Sequence, residues 1–435
     1  MKLLVAGASG LLGSHLRHAL RTRGHEVIGV ARHSPGGDGS WLALDLAHAR
    51  QEDWTQVLAG VDCVVNCVGI FRESPGQSFE ALHHRGPARL FDACVEAGVR
   101  RVVQISALGA DEHAVTEYHL SKRAADEHLL RLPLDAVVAQ PSLVFAPDGS
   151  SAKSMLTWAS LPVVPLPAGG QQTIQPIALD DLTNSLVALA TGEANAAWGN
   201  RRVPLVGPVP ISLAHYLAVL RQGIGLQRSL TVNVPGWAMR IAASTGDHLG
   251  RWIPSLMLDS ASWQMLQQGN QADPAQVTEL LGGPPLDASR FVDAKEALTM
   301  RTRALLGWLL PLARVSLALV WIVTAVVSAF VFPVAESLDL LARSGLPEPW
   351  RLASLYAAAL LDMVLGLATL GPPKGQRWRP WLWRTQAALI LFYTGVITLR
   401  LPEFWAHPYG PLLKNLPMLA LIAFVASFEP RRRPP

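Results

Sequence analysis

Seven residues into the chain, an apolar run breaks into Gly7-Ala-Ser-Gly10-Leu-Leu-Gly13, and a helical pattern follows. That order leaves few architectures open. Leu3 to Ala6 carries no polar side chain, as a strand buried on both faces of a parallel sheet requires. The first glycine permits a tight turn, the second lets the backbone approach a pyrophosphate, and the third lets helix and strand pack closely. Free N–H groups at the start of the helix then face the anion. The expected cradle is the backbone of Gly7, Ser9, Gly10, Leu11, Leu12 and Gly13.

The following strands extend this reading. The second, His25 to Val30, leads into Ala31-Arg32-His33. A site for NAD places a carboxylate here for the ribose hydroxyls, and none is present. Arg32 is suited to a 2′-phosphate, so NADP (NADPH) is expected ahead of NAD; the alternative is an arginine merely solvated after a strand. Asp45-Leu46 follows the third strand, Trp41 to Leu44, where an aspartate can accept from an adenine amino group. The fourth strand, beginning at Asp62, ends in Cys67, Val68 and Gly69, where backbone passes the cofactor. The fifth, from Arg101, ends in Ser106, and Tyr118-His-Leu-Ser-Lys122 comes twelve residues later. Tyr118 and Lys122 share one helix face, a spacing that an ordinary polar face also has. The architecture expected is α/β: a Rossmann doubly wound parallel sheet with a small cap region, followed by an all-α four-helix transmembrane domain.

Taken together, GASGLLG, VARHS, LDL, VVNCVGI, VVQISALGA, YHLSK, QPSLVFAPDG and QPIALDDLTNSL resemble the short-chain dehydrogenase/reductase superfamily over the first three hundred residues. They are most similar to its atypical branch, which includes the NADPH-binding accessory subunit of respiratory complex I. The resemblance implies that Tyr118 acts as the acid, Lys122 lowers its pKa and holds the nicotinamide ribose, and Ser106 orients a substrate carbonyl. It implies that Pro141 and Ser142 line the nicotinamide and that Phe145 walls the substrate pocket, with plain core as the alternative. His119 is expected on the helix surface. Asp180 or Asp181 borders the pocket or caps a helix.

Residues 1–230 are expected to form the nucleotide domain and 231–303 a helical cap and linker. In the latter, Trp237, Met239, Ile241, Trp252, Met257, Trp263 and Met265 recur at helical spacing, as core, as a cap or as a surface lying on lipid. Residues 304–435 form the membrane domain. Half of the chain is hydrophobic and only 16% is charged, and the excess lies at this end. The segments are Leu312 to Phe332, Ala353 to Leu370 with Asp362 inside it, Gln386 to Leu401, and Leu412 to Phe428. A span takes about 20 apolar residues. Arg301, Arg303 and Arg314 precede the first, Lys374, Arg377, Arg379 and Arg384 stand between the second and third, and Arg431 to Arg433 follow the fourth. The positive-inside rule then puts the nucleotide domain and both termini in the cytoplasm, for a multi-pass protein of the cell inner (plasma) membrane. Trp378, Trp381 and Trp383 are expected at the headgroups, and Asp362 either functions or pairs with Arg314 or Arg400. Hydropathy, Asp362 and the tryptophan loop are similar to the DoxX-like four-helix membrane family. Work with quinones among relatives of that family implies a lipid-soluble substrate or acceptor.

A net charge of +4 argues against nucleic acid. Cys63, Cys67 and Cys94 make no disulfide framework, and no metal-type cluster is present. Three functions remain open: a membrane-anchored NAD(P)H oxidoreductase for a hydrophobic carbonyl or quinone-like substrate, a non-catalytic sensor or assembly subunit of a membrane complex, and sugar-nucleotide epimerase or dehydratase chemistry. The last needs retained NAD, against which Arg32 argues.

Overall fold

The computed structural model describes residues 1–33, 39–192, 199–249, 260–371, 378–408 and 410–429. Trp252, Met257, Lys374, Arg377 and Arg431 to Arg433 therefore lie outside the described residues. Two compact units make up the chain, Met1–Ala304 and Leu305–Pro435.

The first unit is built on seven strands, all parallel. In chain order they are β1 (Lys2–Ala6), β2 (Glu26–Ala31), β3 (Trp41–Ala43), β4 (Cys63–Asn66), β5 (Arg101–Ile105), β6 (Asp135–Pro141) and a last strand, Arg201–Leu205. In the sheet the order is last strand, β6, β5, β4, β1, β2, β3. Strand side chains alternate between faces, and here both faces are covered. Leu3 and Val5 pack with Leu16, Leu20, Leu182 and Leu186 on one side. Leu4 and Ala6 pack with Trp54, Phe91 and Leu129 on the other. This is why β1 reads as an uninterrupted apolar run. The chain runs outward from β1 to β3, then returns to start β4 on the other flank of β1. The order reverses there, and the crevice beyond the carboxyl ends of β1 and β4 is where such sheets bind ligands.

A second core in the same unit gathers Phe145, Leu156, Leu166, Leu213, Tyr216, Phe291, Met300 and Ala304. Two-stranded pairs frame it, among them Val163–Pro167 with Leu230–Val234. Of the expected apolar stripe, Met239 and Trp263 are buried and Trp237 is exposed.

In the second unit, helices Ala297–Val331, Glu348–Leu370 and Arg379–Arg400 are long and apolar enough to cross a membrane. The fourth apolar helix is shorter than expected, Asn415–Ser427, with 13 residues. At 1.5 Å per residue it covers about 20 Å of a roughly 30 Å hydrocarbon layer. Pro417 sits in its first turn, where its ring clashes with any earlier helical turn, and so Leu412 and Leu413 stay outside. An additional helix, Val334–Arg343, separates the first two. Phe330, Leu399 and Leu416 point outward, the reverse of a water-soluble bundle. Trp378 and Trp381 are exposed, but Trp383 is in the bundle core, with the Arg379 guanidinium 5.6 Å from its ring. Glu429 accepts from both Arg314 (2.6 Å) and Arg379 (2.9 Å). That ties the middle of the first long helix and the start of the third to the end of the fourth. Asp362 has no ion-pair partner among the described residues.

Candidate cofactor and active site

The turn after β1 is shaped by its glycines. Gly7 has φ +76°, where a side chain is strained, and its N–H donates to the Val30 carbonyl at 2.9 Å. Helix α1 (Leu11–Thr22) starts from Gly10, with no acidic residue in its first turn to compete for an anion. Ser9, Gly10 and Leu11 are exposed around this opening, while Gly13 is buried against the turn. A Cβ at Gly13 would stand 2.3 Å from the Gly7 oxygen. Leu12 packs on the core. Backbone this close to backbone is the cradle a pyrophosphate needs, and the residues present fit one.

Across the crevice, the Asn66 side chain holds the turn after β4. It accepts from Val68 N–H (3.1 Å) and donates to Gln104 (2.7 Å). Asn66 and Gln104 are fully buried, and neither stood among the expected site residues. Cys67 N–H donates to the Ala6 carbonyl. Gly69 leaves room for Lys122, whose Nζ would lie 3.1 Å from a Cβ there.

Helix Glu117–Arg131 carries Tyr118 and Lys122, and Thr116 caps it by accepting from His119 N–H. Tyr118, Lys122 and Asp126 fall at four-residue spacing on one buried face. Lys122 Nζ donates to the carbonyls of Val68 (3.2 Å) and Ile105 (2.9 Å), at the ends of β4 and β5. Burial lowers its pKa, opposed by the Asp126 charge. Ser106 is committed elsewhere: its hydroxyl donates to Asp126 at 2.5 Å, away from Tyr118. Burial raises the Asp126 carboxyl above its usual range. The resemblance implies that Lys122 lowers the pKa of the Tyr118 hydroxyl; in this structure the resolved influences on it act the other way. Burial first, and then the Asp126 charge, push it up.

Four rings surround Tyr118. Phe71 stacks on it at 5.4 Å, and Phe79, His83 and His119 meet it edge-on. His119 is buried rather than on the surface, its Nδ1 2.9 Å from Thr116 Oγ1. His83, another unexpected member, is fully buried. Its Nε2 accepts from Ile70 N–H (3.0 Å) and its Nδ1 donates to Ser121, which itself donates to the Tyr118 carbonyl. Burial, and then the Lys122 charge, lower its pKa to about 3, so this ring stays neutral.

The remaining expected residues are spread more widely. Arg32 is exposed at the end of β2. Asp45 accepts from Ala47 N–H and pairs with His48 at 2.9 Å; burial raises its pKa, but these bonds prevail and lower it. Beside them opens a cleft of about 510 Å³ lined by Ala47, His48, Glu73, Ser74, Gln77 and Ser78. Leu46 is core. The Pro141 carbonyl accepts from Leu108 N–H, and the Ser142 hydroxyl donates to the Gln175 carbonyl (2.5 Å). Phe145 stacks on Phe291 at 5.0 Å in the second core. Ala178 occupies the cap position of helix Leu179–Thr191; Asp180 and Asp181 lie in its first turn, and Asp181 accepts from Leu286 N–H.

Residues 3–161 match the NAD dependent epimerase/dehydratase family, and residues 318–423 match the DoxX-like family. The chain joins a short-chain dehydrogenase/reductase-type domain to a DoxX-like one. The first of these is similar to an epimerase family protein of Mycobacterium bovis, 27% identical over 290 residues, which are 60% of this chain and 92% of that protein. It is also similar to mitochondrial NADH dehydrogenase (ubiquinone) 1 alpha subcomplex subunit 9 of Arabidopsis thaliana, 24% identical over 264 residues and 58% of this chain. The chain spans 64% of that subunit's length, and 24% of an uncharacterized Mycobacterium tuberculosis protein. Among solved structures, a UDP-glucuronic acid 4-epimerase from Bacillus cereus in complex with UDP-glucuronic acid and NAD superposes with a TM-score of 0.51. It is 18% identical, covers 69% of this chain and is itself covered to 99%, a likeness of fold.

Proposed function

We propose that the chain is a membrane-anchored, NADP-preferring oxidoreductase of the short-chain dehydrogenase/reductase type, acting on a hydrophobic carbonyl or quinone-like group. The observation that carries this reading is the pairing of Tyr118 and Lys122 on one helix face, with Lys122 Nζ held 2.9 Å from the Ile105 carbonyl beside Gly69. The Gly7 to Gly13 backbone would hold the pyrophosphate, Lys122 the nicotinamide ribose and Arg32 the 2′-phosphate. The bound dinucleotide supplies or accepts the hydride. Tyr118 would act as the general acid, its Oη–H giving a proton to a carbonyl oxygen as that oxygen gains charge, with the Lys122 ammonium one helical turn away favouring the phenolate left behind. His83, locked neutral, adds no charge that would work against that transfer. The apolar helices of the DoxX-like domain would anchor the enzyme in the inner membrane with both termini cytoplasmic, where a lipid-soluble substrate is at hand.

One observation favours a non-catalytic nucleotide-binding subunit of a membrane complex instead. The Ser106 hydroxyl donates its proton to Asp126, so that proton is not offered to a substrate carbonyl. The deciding experiment measures NADPH oxidation by the full chain in membranes, wild type beside Tyr118→Phe, against a panel of quinones and hydrophobic carbonyls. Both proteins are first titrated with NADPH. Turnover lost by at least a hundredfold in the variant, at unchanged NADPH affinity, supports the enzyme. Tight binding with no turnover in either supports the subunit.

A further inference from the structure

We infer that the DoxX-like domain holds a ligand site of its own, and that its ligand is a small aromatic or alkyl amine carried as a cation. Within this domain lies a cavity of about 250 Å³, lined among others by Trp321, Asp362, Ile390, Tyr393, Phe404 and Met418. Its volume suits one ring with a short arm. Asp362 is 6% exposed, and its Oδ1 is fully buried without a hydrogen-bond partner. It stands at the middle of helix Glu348–Leu370, where a lone carboxyl is retained only at a cost.

The two most buried arginines of this domain lie in another network. Arg314 and Arg379 both bond Glu429, and Arg400 lies 3.7 Å from the Cβ position of Gly345. Among the described residues, no lysine or arginine lines the cavity. Two of the neutral donors around it are spent, while the Thr324 and Tyr393 hydroxyls also line the cavity. Trp321 Nε1–H donates to Gln386 (3.0 Å), and the Asn415 amide donates to Thr394 (2.7 Å). What remains is rich in acceptors: the Asp362 carboxylate and the Asn415 amide oxygen. The walls are the faces and edges of Trp321, Tyr393 and Phe404, and aromatic faces attract cations. An ammonium group supplies in one place several N–H donors for Asp362 and a positive charge that no described lysine or arginine of the lining carries. A carbonyl-bearing ligand supplies neither.

The test uses the full chain in lipid nanodiscs, with empty nanodiscs subtracted. Calorimetric titration compares 2-phenylethylamine with 2-phenylethanol, which has the same shape without the charge. The amine is expected to bind wild type at least tenfold more tightly than the alcohol. Asp362→Asn is expected to remove that preference while leaving NADPH affinity in the other domain unchanged. The wild-type comparison decides even if the variant folds poorly. Equal or tighter binding of the alcohol, absence of amine binding to wild type, or amine affinity unchanged in Asp362→Asn would each overturn the assignment.

Discussion

Gly13→Ala is the sharpest test of the nucleotide cradle. A Cβ at this position would lie 2.3 Å from the Gly7 oxygen, 2.9 Å from the Gly7 carbon and 3.0 Å from Ala8 Cα. Ordinary contact begins near 3.4 Å, so the Gly7 carbonyl must retreat by roughly 1 Å. All three obstacles are backbone, and no side chain can swing aside. Nor is Gly7 free to move, since its N–H is bonded to Val30 and its own Cβ position already abuts Val68 N at 3.0 Å. Alanine gains about 1 kcal/mol over glycine in a helix, against about 1–3 kcal/mol for overpacking. The net cost to stability is therefore about 0–2 kcal/mol. Affinity for the dinucleotide is the sensitive readout. A turn displaced by an ångström misaims its N–H groups, and one lost bond to a charged phosphate costs about 1.5–3 kcal/mol, roughly ten- to a hundredfold in Kd. Gly60→Ala is the control: Gly60 has φ +70° and nothing within 4 Å, so alanine there meets only backbone strain of about 1–2 kcal/mol. Fluorescence titration with NADPH should show a loss for Gly13→Ala alone. Wild-type affinity in Gly13→Ala, or an equal loss in Gly60→Ala, refutes the close-approach argument.

Other outcomes follow from single contacts. Arg32→Gln should weaken NADPH binding at least tenfold and leave NADH binding unchanged; equal effects on both would make Arg32 a solvated bystander. His83 titrates near 3 when folded and at 6.5 otherwise, so the unfolded chain takes up a proton that the folded one refuses. Its contribution is complete above pH 6.5 and is lost as pH falls toward 3, by about 1.4 kcal/mol per unit. His83→Gln should flatten the acid side of the stability profile by one proton, as read from unfolding temperatures between pH 6.5 and 4. Glu429→Gln should leave two buried guanidiniums facing each other and cost about 3–5 kcal/mol. Adding Arg314→Met should restore part of that loss in detergent unfolding.

The sheet was legible because a parallel strand buried on both faces writes itself as an unbroken apolar run, and because glycine marks close backbone approach. Leu3 to Ala6 and Gly7 to Gly13 show both. The long apolar helices were legible from hydropathy alone, except where Pro417 shortens the last one. Polar residues on buried faces were read less well, for a physical reason: such a residue is defined by its partner, and the fold supplies the partner. Ser106 ends a strand, a position compatible with bonding a substrate or bonding Asp126. Its partner lies twenty residues on. A local signal existed, since Asp126 continues the four-residue spacing of Tyr118 and Lys122. His83 has no such signal. His83 and His84 are adjacent, and only the packing of Glu80–Arg85 against the tyrosine helix selects which one turns inward. His119 was assigned outward because it neighbours Tyr118 on a helix. Yet Thr116 takes both its backbone N–H and its ring, and Gly109 leaves the imidazole room at 3.4 Å. The sequence leaves Phe145 open as pocket wall or core, because its partner Phe291 is remote along the chain. The tyrosine is therefore ringed by Phe71, by Phe79 and His83 of another segment, and by its own neighbour His119, a burial that no one segment encodes.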